Sequence, residues 1–193
     1  MPRTKEQNEI IKEQRKKKVC KAALKLFALH GFKDVAVDDI TREANCSHGL
    51  FYHYFKDQKD IFLQIEQDIL TRDNGKYLID FNYLKTLGGK KGLDEFFRIF
   101  SIIDSGEDDV LLYYATLAQN DFELTRVPSA FYGPKNKNIF RDLIAEGMRD
   151  GDVRDGDPDE VARLCYYIVA GGLNRRVNMG IKSIKLEALK RVF

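Results

Sequence analysis

Residues 47–56, SHGLFYHYFK, concentrate side chains that can hydrogen-bond to nucleic acid. The segment carries a serine, two histidines, two tyrosines and a lysine within ten positions. Hydroxyl, imidazole and ammonium groups are donors that proteins place against phosphate oxygens, and imidazoles also reach base edges. This composition predicts a short helix that contacts DNA, provided that flanking elements hold it in a groove.

The preceding stretch supplies the second helix that such a contact requires. Val37, Ile40 and Ala44 recur at helical spacing, and Asn45 follows where a helix end needs a left-handed residue. Ser47 can then cap the next helix by accepting hydrogen bonds from its free amides. Two helices joined by a turn of roughly three or four residues form a helix-turn-helix. We therefore predict this motif over residues 36–55, with Phe51 and Phe55 buried beneath it.

Charge is distributed unevenly along the 193 residues. The net charge is only +2, but residues 1–59 hold 13 Lys or Arg against 8 Asp or Glu. A basic N-terminal part on a mildly acidic remainder is typical of a protein with one end on a polyanion. Lys16, Lys17 and Lys18 belong either to a solvated helix face or to a basic arm beside the DNA-facing surface.

Composition excludes several other classes of protein. With 44% hydrophobic residues the chain can build a core, and no window is apolar enough to span a membrane. The N-terminus lacks the apolar segment of a signal peptide, so we expect a soluble protein of the cytoplasm. Cys20, Cys46 and Cys165 stand singly, in no metal-ligand spacing, and are expected to be buried thiols.

Residues 58–193 are predicted to form a helical body, which makes the fold class all-α. An apolar stripe starts at Ile61 and is expected to continue past Asp73, Asn74 and Gly75 towards Leu84. Residues 88–92 are predicted to be a glycine-rich loop. Further helices are predicted over residues 93–103, 110–122, 139–148, from Pro158 onwards, and over 184–193.

The helix that begins at Pro158 is apolar on two sides, which requires two packing partners. One partner is its own domain, and the second is either more of the same core or another copy of the chain. We expect a symmetric dimer in which this helix and the last one contribute to a four-helix interface. The expected interface residues are Tyr166, Val169, Ala170, Leu173, Val177, Leu186 and Leu189.

These motifs give the N-terminal third a resemblance to the tetracycline-repressor (TetR) family of bacterial transcriptional regulators. The resemblance runs from about residue 17 to residue 65 and rests on three stretches: AALKLF followed by HGF, DITREA, and SHGLFYHYFK. It implies a three-helix DNA-binding unit over residues 1–57 and a ligand-binding and dimerisation unit over residues 58–193. It also implies a homodimer on a palindromic operator, with a small-molecule effector that changes the spacing of the two DNA-binding units.

The resemblance also assigns roles within the motif. Ser47 would cap the recognition helix, Gly49 would permit close approach to DNA, and His48 and Leu50 would face base edges. The residues it implies for DNA binding are Arg42, Ser47, His48, Gly49, Leu50, Tyr52, His53, Tyr54, Lys56 and Lys59, with both tyrosines on phosphates. Ala36 departs from the usual Ser or Thr cap of the first motif helix, and Asn45 replaces the usual glycine.

An effector site is expected among the aromatic residues of the body. Its candidate residues are Phe97, Phe100, Tyr113, Tyr114, Asn120, Phe131, Tyr166 and Asn174, and ordinary core packing is the alternative for each. No cofactor or metal is expected. The acidic loop 150–157 does not fit a calcium site, because Arg154 stands where an oxygen ligand is needed.

Three alternative functions compete with a DNA-binding repressor. All three histidines lie in the N-terminal part, and the body has no nucleophile motif or phosphate-binding loop, so we do not expect an enzyme. A ligand-dependent activator of the same family remains open. The third alternative is an all-α interaction module that does not bind an operator. DNA affinity measured at several salt concentrations would distinguish such a module from a DNA-binding regulator.

Overall fold

The computed structural model describes residues 4–119 and 134–180, and in that part all regular secondary structure is helical, as the sequence predicts. Two short 3-10 turns, Phe32–Asp34 and Arg72–Gly75, interrupt the α-helices. The α-helices are α1 Lys5–His30, α2 Val37–Glu43, α3 His48–Tyr54, α4 Gln58–Thr71, α5 Phe81–Leu87, α6 Gly89–Asp104, α7 Asp108–Gln119, α8 Pro134–Arg149 and α9 Pro158–Met179.

The first three helices pack around a small aromatic and aliphatic core. Phe27 of α1, Ile40 of α2 and Phe51 of α3 are fully buried, and Phe55 is 1% exposed just after α3. The spacing of Phe51 and Phe55 puts both rings on the inner side of the short helix, 5.6 Å apart between centroids. The expected burial of this pair is confirmed.

Helix α4 leads from α3 to the remaining helices and ends earlier than its apolar stripe predicts. The chain leaves the helix after Thr71, and Asp73 and Asn74 both adopt left-handed backbone conformations, with φ of 49° and 59°. A separate helix, α5, begins at Phe81 after an Asp80 cap. The continuous helix expected across residues 73–75 is therefore wrong, because Asp and Asn accept the left-handed region more readily than most residues.

The predicted loop at residues 88–92 is also wrong, since α6 already begins at Gly89. The glycine at 92 serves packing rather than a turn. A Cβ atom there would lie 2.7 Å from both a Leu143 methyl group and the Leu84 carbonyl oxygen. The absence of a side chain lets α6 lie directly against α5 and α8, so a residue type that usually marks a loop marks a close helix contact here.

The body helices α5–α9 continue the same hydrophobic core, and α7 packs on both α1 and α9. Pro158 begins α9, as predicted, and the Asp157 carboxylate caps it by accepting from the amides of Asp159 and Glu160. The helix expected over 184–193 lies outside the described residues. None of the helices in the described part is long and apolar enough to span a bilayer.

Candidate nucleic-acid interface

The turn between α2 and α3 has the geometry that its residues predict. Asn45 has a φ of 48°, and the Cys46 amide donates to the Thr41 carbonyl at 2.9 Å, which closes the end of α2. The Ser47 hydroxyl oxygen accepts from the Leu50 amide at 3.2 Å and caps α3. The sequence therefore predicted both the residue that ends the first motif helix and the residue that starts the second.

The start of α2 is held in a way that the sequence reading missed. Ala36 offers no side-chain cap, as expected. Its backbone amide instead donates to the Asp39 Oδ2 atom at 2.9 Å. This is half of a capping box, supplied by the third residue of the helix, and it compensates in part for the missing Ser or Thr. The sequence signal for this contact is an acidic residue three positions after the N-cap.

The predicted DNA-contacting side chains of α3 are exposed or half-buried. Tyr52 is 57% exposed, His48 and His53 are exposed, and Leu50 is half-buried. Just beyond the helix, Lys56 and Lys59 are exposed as well. With its apolar residues turned inward, this short helix presents hydroxyl and imidazole groups to any ligand that contacts the surface.

Gly49 stands on the same surface without an internal reason for being glycine. A Cβ added there would meet only the Ser47 Oγ atom, at an ordinary 3.9 Å. Its backbone conformation is helical, which any residue can adopt. The protein itself therefore leaves room for a side chain, and the small residue leaves the outer surface of α3 open to a bulky ligand.

Several of the predicted contact residues have partners within the protein. The His48 Nε2 atom lies 3.4 Å from the Asp38 carboxylate, and an Arg42 guanidinium nitrogen lies 3.2 Å from an Asp39 oxygen. The Tyr54 hydroxyl donates to the carbonyl of Lys12 in α1 at 3.3 Å. The phosphate contact expected of Tyr54 therefore competes with an internal bond, whereas the Tyr52 ring projects further into solvent.

The expected effector residues are not gathered in one cavity. Phe100 and Tyr114 line a narrow apolar crevice of about 10 Å³ between α6, α7 and α9. Phe97 and Tyr113 are buried in the core outside that crevice, and the exposed Asn174 is bonded to Asn178. Tyr166 is half-buried on α9. Asn120 and Phe131 lie outside the described residues.

Two polar contacts hold the aromatic residues of this core in place. The Tyr113 hydroxyl donates to Glu66 of α4 at 2.9 Å, and the Tyr114 hydroxyl donates to the Tyr77 carbonyl. Burial, together with the nearby Glu66 carboxylate, raises the pKa of Tyr113 well above its ordinary value. Tyr113 therefore stays protonated and ties α7 to α4.

The expected dimer residues separate into two groups on α9. Val169 and Leu173 are 5% and 2% exposed and line the apolar crevice, so they face the core of their own protomer and not an outer surface. Tyr166, Ala170 and Val177 are half-buried at its edge. The spacing of apolar residues does not show which of the two apolar stripes of α9 faces the core. The expected interface therefore includes residues of both stripes. Leu186 and Leu189 lie outside the described residues.

The side of α9 opposite the core exposes large apolar groups. Leu164 is 53% exposed and Tyr167 is 64% exposed. Gly171 follows on the same side, and a Cβ there would meet nothing within 4 Å. Neither Leu164 nor Tyr167 is among the interface residues expected from the sequence.

Comparisons with known proteins agree with this arrangement of helices. The family profile "Bacterial regulatory proteins, tetR family" matches residues 19–65, the part that contains the C-terminal end of α1 and all of the helix-turn-helix. The repressor KstR2 of Mycolicibacterium smegmatis, an HTH-type transcriptional repressor, is 28% identical over 159 residues, which cover 78% of this chain and 73% of the relative. Residues 19–65 form a TetR-family DNA-binding domain. A chain that carries this domain and is similar to a known transcriptional repressor along most of its length is a DNA-binding transcriptional regulator and not an enzyme.

The similarity to known proteins extends beyond the helix-turn-helix. The fatty acid metabolism regulator protein of Bacillus subtilis is 23% identical over 160 residues, covering 81% of each chain. Among solved structures, an HlyIIR mutant protein superposes with a TM-score of 0.64 at 17% identity, covering 94% of this chain and 96% of that one. A gamma-butyrolactone receptor gives a TM-score of 0.59 at 22% identity, covering 93% and 83%. These structures support a TetR-family fold along almost the whole chain.

Proposed function

We propose that this TetR-family regulator is a homodimeric repressor that leaves a palindromic operator when a small molecule binds to its body. Residues 1–57 would form the DNA-binding unit, and residues 58–193 the effector-binding and dimerisation unit of a cytoplasmic protein. The observation that carries DNA binding is the exposed side of α3, a capped helix that buries Phe51 and presents Tyr52 and two histidines outward.

Each group on that side has a distinct task in the proposed complex. His48 and His53 reach base edges, and Leu50 offers apolar contact to a thymine methyl group. Tyr52 donates to a phosphate, which fixes the position of the helix without reading sequence. Lys56, together with Lys59 and Arg42, adds phosphate contacts around the helix.

Selection of bound sequences from a pool of random duplexes tests operator binding. We expect one enriched motif with two inverted half-sites, whose separation reports the distance between the two α3 helices. A pool that shows no enriched motif after repeated selection would contradict sequence-specific binding. Placing the motif across a reporter promoter then distinguishes a repressor, which lowers expression, from an activator, which raises it.

The outward side of α9 is the proposed contact with a second copy of the chain. Leu164 and Tyr167 expose large apolar surface there, and Gly171 leaves space for a partner helix at close range. A two-fold symmetric contact uses the same residues on both protomers, so one exposed helix side is enough to form it. A dimer also matches the inverted half-sites expected of the operator.

Light scattering after size-exclusion chromatography tests this contact. Replacing both Leu164 and Tyr167 by glutamate puts charges on the proposed interface, and we expect a monomer with retained helicity. Tyr83 of α5 is 50% exposed and gives a matched control, Tyr83→Glu, that should remain dimeric. A wild-type monomer at micromolar concentration, or a control that dissociates equally, would contradict the proposed interface.

The apolar crevice between α6, α7 and α9 is the proposed starting point of the effector site. Its lining offers hydrophobic contact from Phe96, Phe100 and Leu117, while the Tyr114 hydroxyl is already bonded to a carbonyl. An apolar or amphipathic ligand that separates these side chains suits such a lining. The fatty acid regulator among the similar proteins makes fatty acids the first compounds to test.

A thermal-shift screen with a concentration series of fatty acids and other amphipathic compounds tests the effector site. A ligand at a hundred times its Kd should stabilise the folded protein by about 2.7 kcal/mol. Phe100→Trp partly fills the crevice and should reduce that shift, while Tyr83→Trp at the surface should not. A shift that is equal in both variants would place the ligand elsewhere.

A further inference from the structure

We propose that residues 12–18 of α1 form a second DNA-contacting surface beside the recognition helix, in which Arg15 and Lys18 bind phosphates. The proposal rests on the operator binding proposed for α3 and adds a separate set of contacts. The stretch reads KEQRKKK and holds five basic residues against one acidic residue. It forms the middle of the 26-residue helix α1.

Contacts with α3 and α2 place this part of α1 beside the helix-turn-helix. At the C-terminal end of α3, the Tyr54 hydroxyl donates to the Lys12 carbonyl at 3.3 Å, and the Lys16 Nζ atom lies 5.9 Å from the Phe55 ring centroid. Two turns after Lys18 on the same side of α1, the Lys25 Nζ atom lies 2.6 Å from the Glu43 carboxylate of α2. This side of α1 therefore faces the helix-turn-helix.

The basic residues of this stretch lie on two separate sides of α1. Lys17 and Lys21, one turn apart, line a groove that α1 forms with α4 and α7. Arg15 and Lys18, three positions apart, share the other side, the one from which Lys25 pairs with Glu43 of α2. Both are exposed, and neither forms an ion pair with any residue of the described part.

The recognition helix needs cations from a neighbour. Helix α3 carries no Lys or Arg, and Arg42, on the adjacent helix, is paired with Asp39 at 3.2 Å. A helix of about 10 Å diameter fills a major groove of about 12 Å, so basic side chains on a neighbouring helix meet the phosphates at the rim. Arg15 and Lys18 stand on such a helix.

The Tyr54 bond gives this surface a fixed position. Because it joins the end of α3 to the backbone of α1, the two helices approach DNA as one unit. Tyr54 then acts as a positioning residue, and Tyr52 keeps the direct phosphate contact.

The dependence of DNA affinity on salt tests the proposal with the full chain and a duplex of random sequence. Each phosphate contact adds about 0.9 to the slope of log K against log salt concentration. We expect the double variant Arg15→Gln/Lys18→Gln to lower the magnitude of the slope by about two. The matched control, Lys17→Gln/Lys21→Gln, removes the same charge from the other side of α1 and should leave the slope unchanged. Circular dichroism confirms that both variants remain helical.

The outcomes separate this proposal from the function on which it rests. A slope that falls only in the first variant supports the α1 surface. Equal slopes in the wild type and both variants, or an equal fall in both variants, overturn it while operator binding through α3 stands. A wild-type protein that shows no salt-dependent binding to any duplex overturns both.

Discussion

Arg72 joins the end of α4 to the start of α7, and replacing it should loosen the connection between the DNA-binding helices and the body. Its guanidinium bonds to Asp109 at 2.7 Å, Glu107 at 3.0 Å and Asp68 at 2.6 Å. The hydrogen bond to Asp109 is the largest of several effects that raise the pKa of Arg72 above its ordinary value, so the cation persists at all working pH values. Arg72→Met keeps the length and apolar stem of the side chain and removes its charge.

The exposed fractions of the partners set the expected magnitude. Asp68 and Glu107 are 69% and 62% exposed, so water replaces their bonds at little cost. The Asp109 side chain is 35% exposed and Arg72 only 21%, which leaves this two-bond contact as the main contribution. Hydrogen bonds to charged groups contribute about 1.5–3 kcal/mol, and partial exposure places our expectation near 2 kcal/mol. The midpoint of thermal unfolding should then fall by about 4–8 °C.

Arg98 provides a matched control because its bond to Glu95 is equally short, at 2.7 Å, while its side chain is 58% exposed. Arg98→Met should cost less than about 1 kcal/mol. Urea unfolding of both variants measures the difference, and a cycle of Arg72→Met with Asp109→Asn isolates the coupling between that pair. Equal losses for the two methionine variants, or a coupling energy near zero, would refute the reasoning.

Three further predictions concern single hydroxyl groups. Ser47→Ala removes the cap of α3 and should lower the free energy of unfolding by about 1 kcal/mol in urea titrations; an unchanged value would mean that the cap does not stabilise α3. Tyr113 has a raised pKa, so the folded state keeps a proton that the unfolded state releases above about pH 10, and stability should fall as the pH rises beyond that value. Tyr113→Phe should make this alkaline decline shallower in unfolding measurements at several pH values, and an unchanged decline would assign it to other groups. Tyr52→Phe should weaken operator binding by about 1 kcal/mol, roughly fivefold, in fluorescence anisotropy without a change in helicity. An unchanged affinity would remove Tyr52 from the phosphate contacts.

Local features of the motif could be predicted from the sequence because single residues determine them. Asn45 adopts the left-handed conformation that its amide side chain tolerates, and Ser47 accepts the amide bond expected of a cap. Pro158 begins α9 for the same kind of reason, since its fixed φ suits a first helical turn. In these cases the physical cause lies within a few positions of the residue itself.

Features that depend on distant residues could not be predicted in this way. The bond from Tyr54 to Lys12 joins positions 42 residues apart, and the sequence pattern around Tyr54 suits a solvent-facing donor equally well. Gly92 looked like a loop residue, because the Leu143 side chain that requires it comes from another helix. Val169 is expected at the dimer interface but lies in the core for a similar reason. Apolar spacing defines one side of a helix but does not show which partner covers that side.

The most direct test of the central claim compares the affinities of the wild-type chain for its selected operator and for a scrambled duplex across a salt series. We predict at least a thousandfold preference for the operator near physiological salt, with affinity for both duplexes falling steeply as salt rises. Equal affinities for the two duplexes, or affinities that do not change with salt, would contradict the conclusion that the exposed side of α3 reads DNA.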